Sequence, residues 1–259
     1  MLGGRKGARY DILLGIGIEA FPGTCAGMSN TLSVIRLICA KEKATMYTPK
    51  GFRVTDLEQI NSFMQTNNFA TLVSWDGERL IASHLLFEVM TGNPGEFTLN
   101  CHLARANDQW RTFSPENEVL VIFGGAHTYI SPRWYSQAGN VPTWNYLAVH
   151  AYGVPAIVNY QDELYGMLTR LVDRYESNSG AIPEYHLDAL PKELVIEKMK
   201  DVVGLRICVT HLEAKFKLSQ NRSQPERENI TIELEKRGGE NSTRIAGAMR
   251  TSVRRNING

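Results

Sequence analysis

The chain has few cysteines, no long apolar run and no surplus of either charge, and each shortage removes a class of function. Cys25, Cys39, Cys101 and Cys208 are scattered among 259 residues without a CxxC or any other close pair. That spacing argues against a zinc ribbon and a disulfide scaffold, and suits a reducing, cytoplasmic compartment. No apolar stretch approaches the roughly 20 residues a membrane helix needs, so no membrane partner is expected. Ile12 to Ile18 is apolar but short, and Glu19 and Pro22 end it. The net charge is +1, which gives no global field towards nucleic acid or an anionic surface. Motifs of other chemistries are missing as well: there is no GxSxG, no HExxH and no GxxxxGK[ST]. Gly15 and Gly17 make only a fragment of a dinucleotide fingerprint. The six histidines include no i, i+4 pair that would hold zinc from one helix face.

What is present is ordinary globular material, 43% hydrophobic and 9% aromatic, with ample length for a core. Residues 1–45 carry six Lys/Arg against Asp11, Glu19 and Glu42, with neither a clean period nor a clear cap. They are expected to be a poorly ordered extension, with Met46 as the natural start. The last sixteen residues hold Arg244, Arg250, Arg254 and Arg255 and no acid. A solvated end is the preferred account, and 251–259 is expected to be a flexible basic tail to a domain spanning 46–250.

Periodicity becomes legible after Met46. Thr55 and Glu58 have capping-box spacing ahead of Leu57, Ile60, Phe63 and Met64 at helical intervals, and Asn67-Asn68 closes that helix. Phe69 to Trp75 is short, aromatic and β-branched, Asp76-Gly77 marks a turn, and Leu80 to Val89 returns. Further strands are expected at Glu96 to Leu103, Glu118 to Phe123, Thr143 to Tyr152 and Val203 to Val209. Along Thr143 to Tyr152, Trp144, Tyr146, Ala148, His150 and Tyr152 share one face, which suits a barrel wall with a site on one side. Leu164 to Tyr175 carries a helical stripe, Pro191 opens a weaker helix, and Ser223 with Glu226 caps a last helical region that Gly238-Gly239 ends. Six strands with marginal helices and no βαβ alternation read as α+β built on a small barrel.

Four clusters mix cationic or amide groups with aromatics: Ser83-His84, residues 102–110 (HLARANDQW), residues 124–144, and residues 215–222 (KFKLSQNR). A flavin needs this mixture: flat apolar neighbours for the ring, a donor at its electron-rich edge, and cationic or amide groups for the phosphate. Bland alternatives stand beside it. His84 and His102 have the pattern of core histidines, Trp134 and Trp144 that of barrel-end plugs, Lys215 and Lys217 that of a solvated strand face, and Arg105 that of a structural ion-pair partner.

The segments MYTPKGF (46–52), FATLVS (69–74), SHLLF (83–87), HLARANDQW (102–110), ISPRWY (130–135), VPTWNYLAVHAYG (141–153) and KFKLSQNR (215–222) together resemble the PaiB family, a group of negative regulators of protease synthesis and sporulation. The resemblance implies a mainly β, six-stranded FMN-binding split barrel, like that of the pyridoxamine-phosphate oxidases, with peripheral helices. It implies a homodimer with FMN where the subunits meet. By that resemblance the cofactor-binding candidates are His84 and Leu85 at the ring, and Arg105 at the phosphate with His102, Asn107, Gln109 and Trp110 on the same segment. Thr143, Trp144 and Asn145 are placed at the ring edge, and Lys215, Lys217 and Gln220 either reach from the second subunit or brace the barrel. No residue marks itself as catalytic. Leu86, Asp108 and Ala126 stand where the family commonly has proline. Three functions follow: a flavin-containing regulator acting on DNA or on a regulatory protein, a flavin-dependent oxidoreductase, or a haem binder using His84, His102 or His150. An acidic body without a helix-turn-helix weighs against direct DNA reading.

Overall fold

The computed structural model describes residues 45–136, 139–177, 180 and 185–257, with the backbone alone for 253–257. The expected extension, 1–45, lies outside the described residues apart from Thr45. The first helix, α1 (Leu57–Thr66), is capped by Asp56, whose carboxylate accepts from the Glu58 and Gln59 N–H groups. The cap is therefore Asp56 rather than Thr55, one residue along, because its short carboxylate meets the N2 and N3 donors directly. Ile60 and Met64 carry the buried face.

Seven antiparallel strands follow: β1 (Phe69–Trp75), β2 (Leu80–Leu86), β3 (Glu88–Thr91), β4 (Phe97–Ala104), β5 (Val119–Ile130), β6 (Thr143–Val158) and β7 (Val202–Lys217). Their order is β2-β1-β5-β6-β7-β4-β3. The two ends of that order, β2 and β3, are separated in sequence by Phe87 alone. One bent strand therefore pairs with β1 before the corner and with β4 after it, and the sheet closes into a barrel. Counted as one strand, β2–β3 restores the six that the sequence implies. The corner is fully buried at Phe87, and Asn68, itself buried, holds it.

β6 and β7, sixteen residues each, serve both halves of the barrel. Thr143 to Tyr152 runs beside β5 and the later part of β7, whereas Gly153 to Val158 runs beside the earlier part of β7, which also pairs with β4. The register slips between Tyr152 and Gly153. Glycine is required there, since a Cβ would lie 2.5 Å from the Cys208 carbonyl oxygen. Both strands run past the sequence expectation: residues 153–158 of β6 are apolar on both faces and so show no alternation, while β7 alternates on to Lys217.

Inward positions (Leu72, Leu99, Val121, Phe123, Val149, Ala151, Leu205 and Ile207) form the main core. Between β6 and β7 lie α2 (Gln161–Glu176) and α3 (Lys192–Met199), with a satellite core of Leu164, Val195 and Met199. After β7, α4 (Gln224–Arg237) starts at the Ser223/Glu226 capping box, and Gly238 and Gly239, both at positive φ, turn the chain into α5 (Glu240–Ile257). Ile230, Leu234, Ile245 and Met249 from this hairpin join the main core. The stretch read as a flexible tail from 251 onward is thus helical through Ile257. Arg250 shows why the charge count misleads: its guanidinium binds Glu235 and Glu228 instead of standing free.

Candidate functional site

Helix α2 lies over one half of the barrel exterior. Its Arg170 bonds Glu88 on β3, and Glu163 pairs with Arg206 on β7. Among the described residues no helix is seen to pair in this way with the outward positions of β2, β1 and β5. Phe69 (68% exposed), Trp75 (49%) and Leu80 (70%) project there with Leu120 and Ile122, so a large apolar face stands open. The candidate site lies at the margin of that face, along the split where β2 of one half runs near β4 of the other.

His84 takes an outward, exposed position on β2, and its Nδ1 lies 3.0 Å from the Thr71 hydroxyl. Leu85, one residue on, belongs to the inward set and touches the core, so Leu86 rather than Leu85 is the aliphatic group on the His84 face. That placement follows from the two-residue period of the strand. Across the split, His102 is half-buried on β4, in a small crevice with Leu86, Glu88 and Asn100 beneath Leu164 and Met167 of α2. Burial pushes the His102 imidazole below its ordinary pKa, which keeps it neutral.

After β4 the chain turns through the 3-10 segment Asp108–Thr112. Arg105 is exposed, and its Nε and Nη2 donate to the carbonyls of Lys200 (2.6 Å) and Val202 (2.8 Å), while its own N–H donates to Asp201 O (2.8 Å). Nη1 makes no bond among the described residues. Trp110 folds back, its Nε1 donating to Arg105 O at 3.0 Å. Asn107 caps the turn by accepting from the Gln109 N–H and donates Nδ2 to the Ser83 hydroxyl at 2.8 Å. Gln109 is 1% exposed, and its amide nitrogen lies near Leu72 O, Ile81 O and Ser74 Oγ. It is a buried brace beneath β1 and β2. Asp108, where proline is common in the family, opens the turn and pairs with Arg111.

The other candidates gather elsewhere. Thr143 accepts from Lys217 Nζ, and Trp144 is half-exposed beside the rings of His127 and Tyr129. Asn145, fully buried, bonds Ser219 and faces Met249, and Gln220 closes its own turn through Leu218 N and Phe216 O. Both bond within the protomer, because polar groups in this barrel end need internal partners. Lys215 is buried at 8% exposure, between the rings of Tyr47 and Tyr146, and donates to Tyr47 O at 2.7 Å. Beside it, Glu213 accepts from Met46 N (3.1 Å) and Tyr152 Oη (3.0 Å), with His150 Nδ1 4.0 Å away.

β1 and β5 separate β2 from β6, three strand spacings or about 14 Å, and Trp144 lies six residues before His150 on β6. One protomer thus links Asn107 to Ser83 beside His84 and Trp110 to Arg105, sets His102 in the crevice under α2, and leaves Thr143, Trp144 and Lys217 in a second group. Thr71 escaped the sequence reading, whereas Ser83 stands in its first cluster and His127 and Tyr129 lie in its third. Strand pairing puts them beside chosen residues.

The family model described as "Putative FMN-binding domain" matches residues 46–211. The "Protease synthase and sporulation protein PAI 2" of Bacillus subtilis is 37% identical over 212 residues, covering 82% of this chain and 100% of that protein. "Uncharacterized protein YKL070W" of Saccharomyces cerevisiae is 37% identical over 102 residues, 38% of this chain and 60% of its own. Among solved structures, the flavocytochrome Anf3 from Azotobacter vinelandii superposes with a TM-score of 0.52 at 11% identity, covering 71% of this chain and 75% of that one. At that identity the likeness speaks for the fold alone.

Proposed function

Because this chain belongs to the PaiB-type family of FMN-binding split-barrel proteins, we propose that it works as a cytoplasmic homodimer whose flavin-loaded form acts in regulation. FMN is the cofactor. The donor set fits it. His84 and Leu86 offer a donor and an aliphatic neighbour, the flat rings of Trp110 and Phe69 lie on adjacent elements, and Arg105 keeps Nη1 for the phosphate. When bound, FMN supplies reversible one- and two-electron chemistry. His84 would orient the ring, its Nδ1 held by Thr71 so that Nε2 points away from β1.

The observation that carries the reading is the open apolar face bordering the His84–His102 split. A second copy laid on that face would remove Phe69, Trp75, Leu80 and Ile122 from water. It would also carry a partner's Trp144–Lys217 group towards a site that one protomer leaves incomplete. The regulatory role rests on the likeness to PAI 2, and the near-neutral charge favours a protein partner over DNA.

The absorption spectrum of the homogeneous protein tests the reading. Oxidised-flavin bands, with FMN alone released on denaturation, are expected. A colourless protein that takes up no FMN in titration would overturn it. Flavin-dependent retention of a protein from native extract, absent after the flavin is stripped, is the expected sign of regulation. Rapid bleaching by NAD(P)H would favour an oxidoreductase instead.

A further inference from the structure

The segment from Arg105 to Thr112 is anchored at both ends to different parts of the barrel. Its first residue binds the α3–β7 junction through Arg105 and the Lys200 and Val202 carbonyls. Two residues later, Asn107 binds Ser83 on β2, and Gln109 reaches Leu72 O and Ser74 on β1 and Ile81 O on β2. Thr112 adds a bond to Gln109 O and lies 3.4 Å from the Ser74 hydroxyl. β4 and the α3–β7 junction belong to the half under α2, and β1 and β2 to the open half. At the other end of the split the two halves are continuous through Phe87, but along the open end no ladder joins β2 to β4.

We propose that this segment is a staple that sets the width of the split, with Ser83 and Asn107 as positioning residues for the flavin. The inference rests on the FMN reading and deepens it. His84 and His102 stand on opposite rims, and their separation at the open end depends on the Ser83–Asn107 bond. Ser83 directly precedes His84, so a shift of its hydroxyl is carried to the imidazole within one residue. A single hydrogen bond of this kind contributes little to global stability, yet it fixes a distance that a rigid tricyclic ligand reads sharply.

FMN titrations, followed by quenching of flavin fluorescence, provide the test. Ser83→Ala removes the acceptor and is expected to weaken FMN binding by about three- to tenfold, with the thermal midpoint of the flavin-free protein unchanged. Ser83→Thr retains a hydroxyl and should restore the parent affinity. Asn107→Ser keeps a capping oxygen for the Gln109 N–H but is too short to reach Ser83. It should match Ser83→Ala, and it carries the test alone should Ser83→Ala fail to fold. Parent-like affinity in both weakened variants, a Ser83→Thr as poor as Ser83→Ala, or losses that merely follow the thermal midpoint would overturn the staple. A parent protein that binds no FMN would instead overturn the flavin reading beneath it.

Discussion

Asn68 grips the peptide of Phe87 from both sides: its carbonyl accepts from the Phe87 N–H at 2.8 Å, and its Nδ2 donates to the Phe87 carbonyl at 3.2 Å. The main chain and side chain of one residue together stand in for a strand neighbour at the corner where the bent strand leaves β1 for β4. Tyr175 from α2 completes the arrangement by donating to Asn68 Oδ1 at 2.8 Å.

Replacing Asn68 with Ala would leave the Phe87 carbonyl and the Tyr175 hydroxyl without that partner. We expect a loss of about 1–3 kcal/mol, a fall in melting temperature of about 2–4 °C for each kcal/mol. Urea unfolding with an unchanged slope measures it. A variant as stable as the parent would show that water fills the gap.

Arg105 has two tasks that can be separated. Its Nε and Nη2 brace the α3–β7 junction, and Nη1 is assigned to the phosphate. Arg105→Ala should weaken FMN by about tenfold or more and riboflavin, which has no phosphate, much less. Equal losses for the two ligands would reduce Arg105 to a brace.

Acid should destabilise the protein through its half-buried histidines. Burial lowers the pKa of His102, and that of His150 too, although the Glu213 carboxylate opposes the shift there. In the folded state both are neutral at a pH where the unfolded chain has begun to take up protons, below the ordinary value of 6.5. The unfolded state then binds more protons, so stability falls as pH drops from about 7 towards about 5. His102→Gln should flatten the slope, as measured by urea midpoints across that range. Tyr152, pushed up to about 12 by burial and by its bond to Glu213, stays protonated throughout.

The open face supplies a prediction about assembly. Ile122 points outward from the middle of β5, opposite Thr71 and His150. On the proposed dimer, Ile122→Lys should give a folded monomer by light scattering and lower FMN affinity with it. A variant that remains dimeric would move the interface elsewhere.

Much of this was legible along the chain. The β1 hairpin, the α2 stripe and the Ser223/Glu226 cap are local patterns, in which neighbouring residues carry the signal. The cap of α1 was misplaced by one residue because Thr55 and Asp56 are both good capping residues and only the backbone direction chooses between them. The directions of Gln109 and Asn145 were not legible, because an amide in a motif reads the same whether it faces a ligand or a core.

The order of amino acids alone determined the family, the flavin chemistry and the α+β barrel class, since long unusual strings and strand alternation are properties of adjacent residues. Tertiary structure decided which polar groups face outward. It put His84 and His102 on opposite rims, turned Leu85 and Gln109 inward, tied Arg105 to two carbonyls and separated Trp144 from the split. Those outcomes depend on which strands pair and in what register, through contacts between residues far apart in the chain, and no local pattern records them.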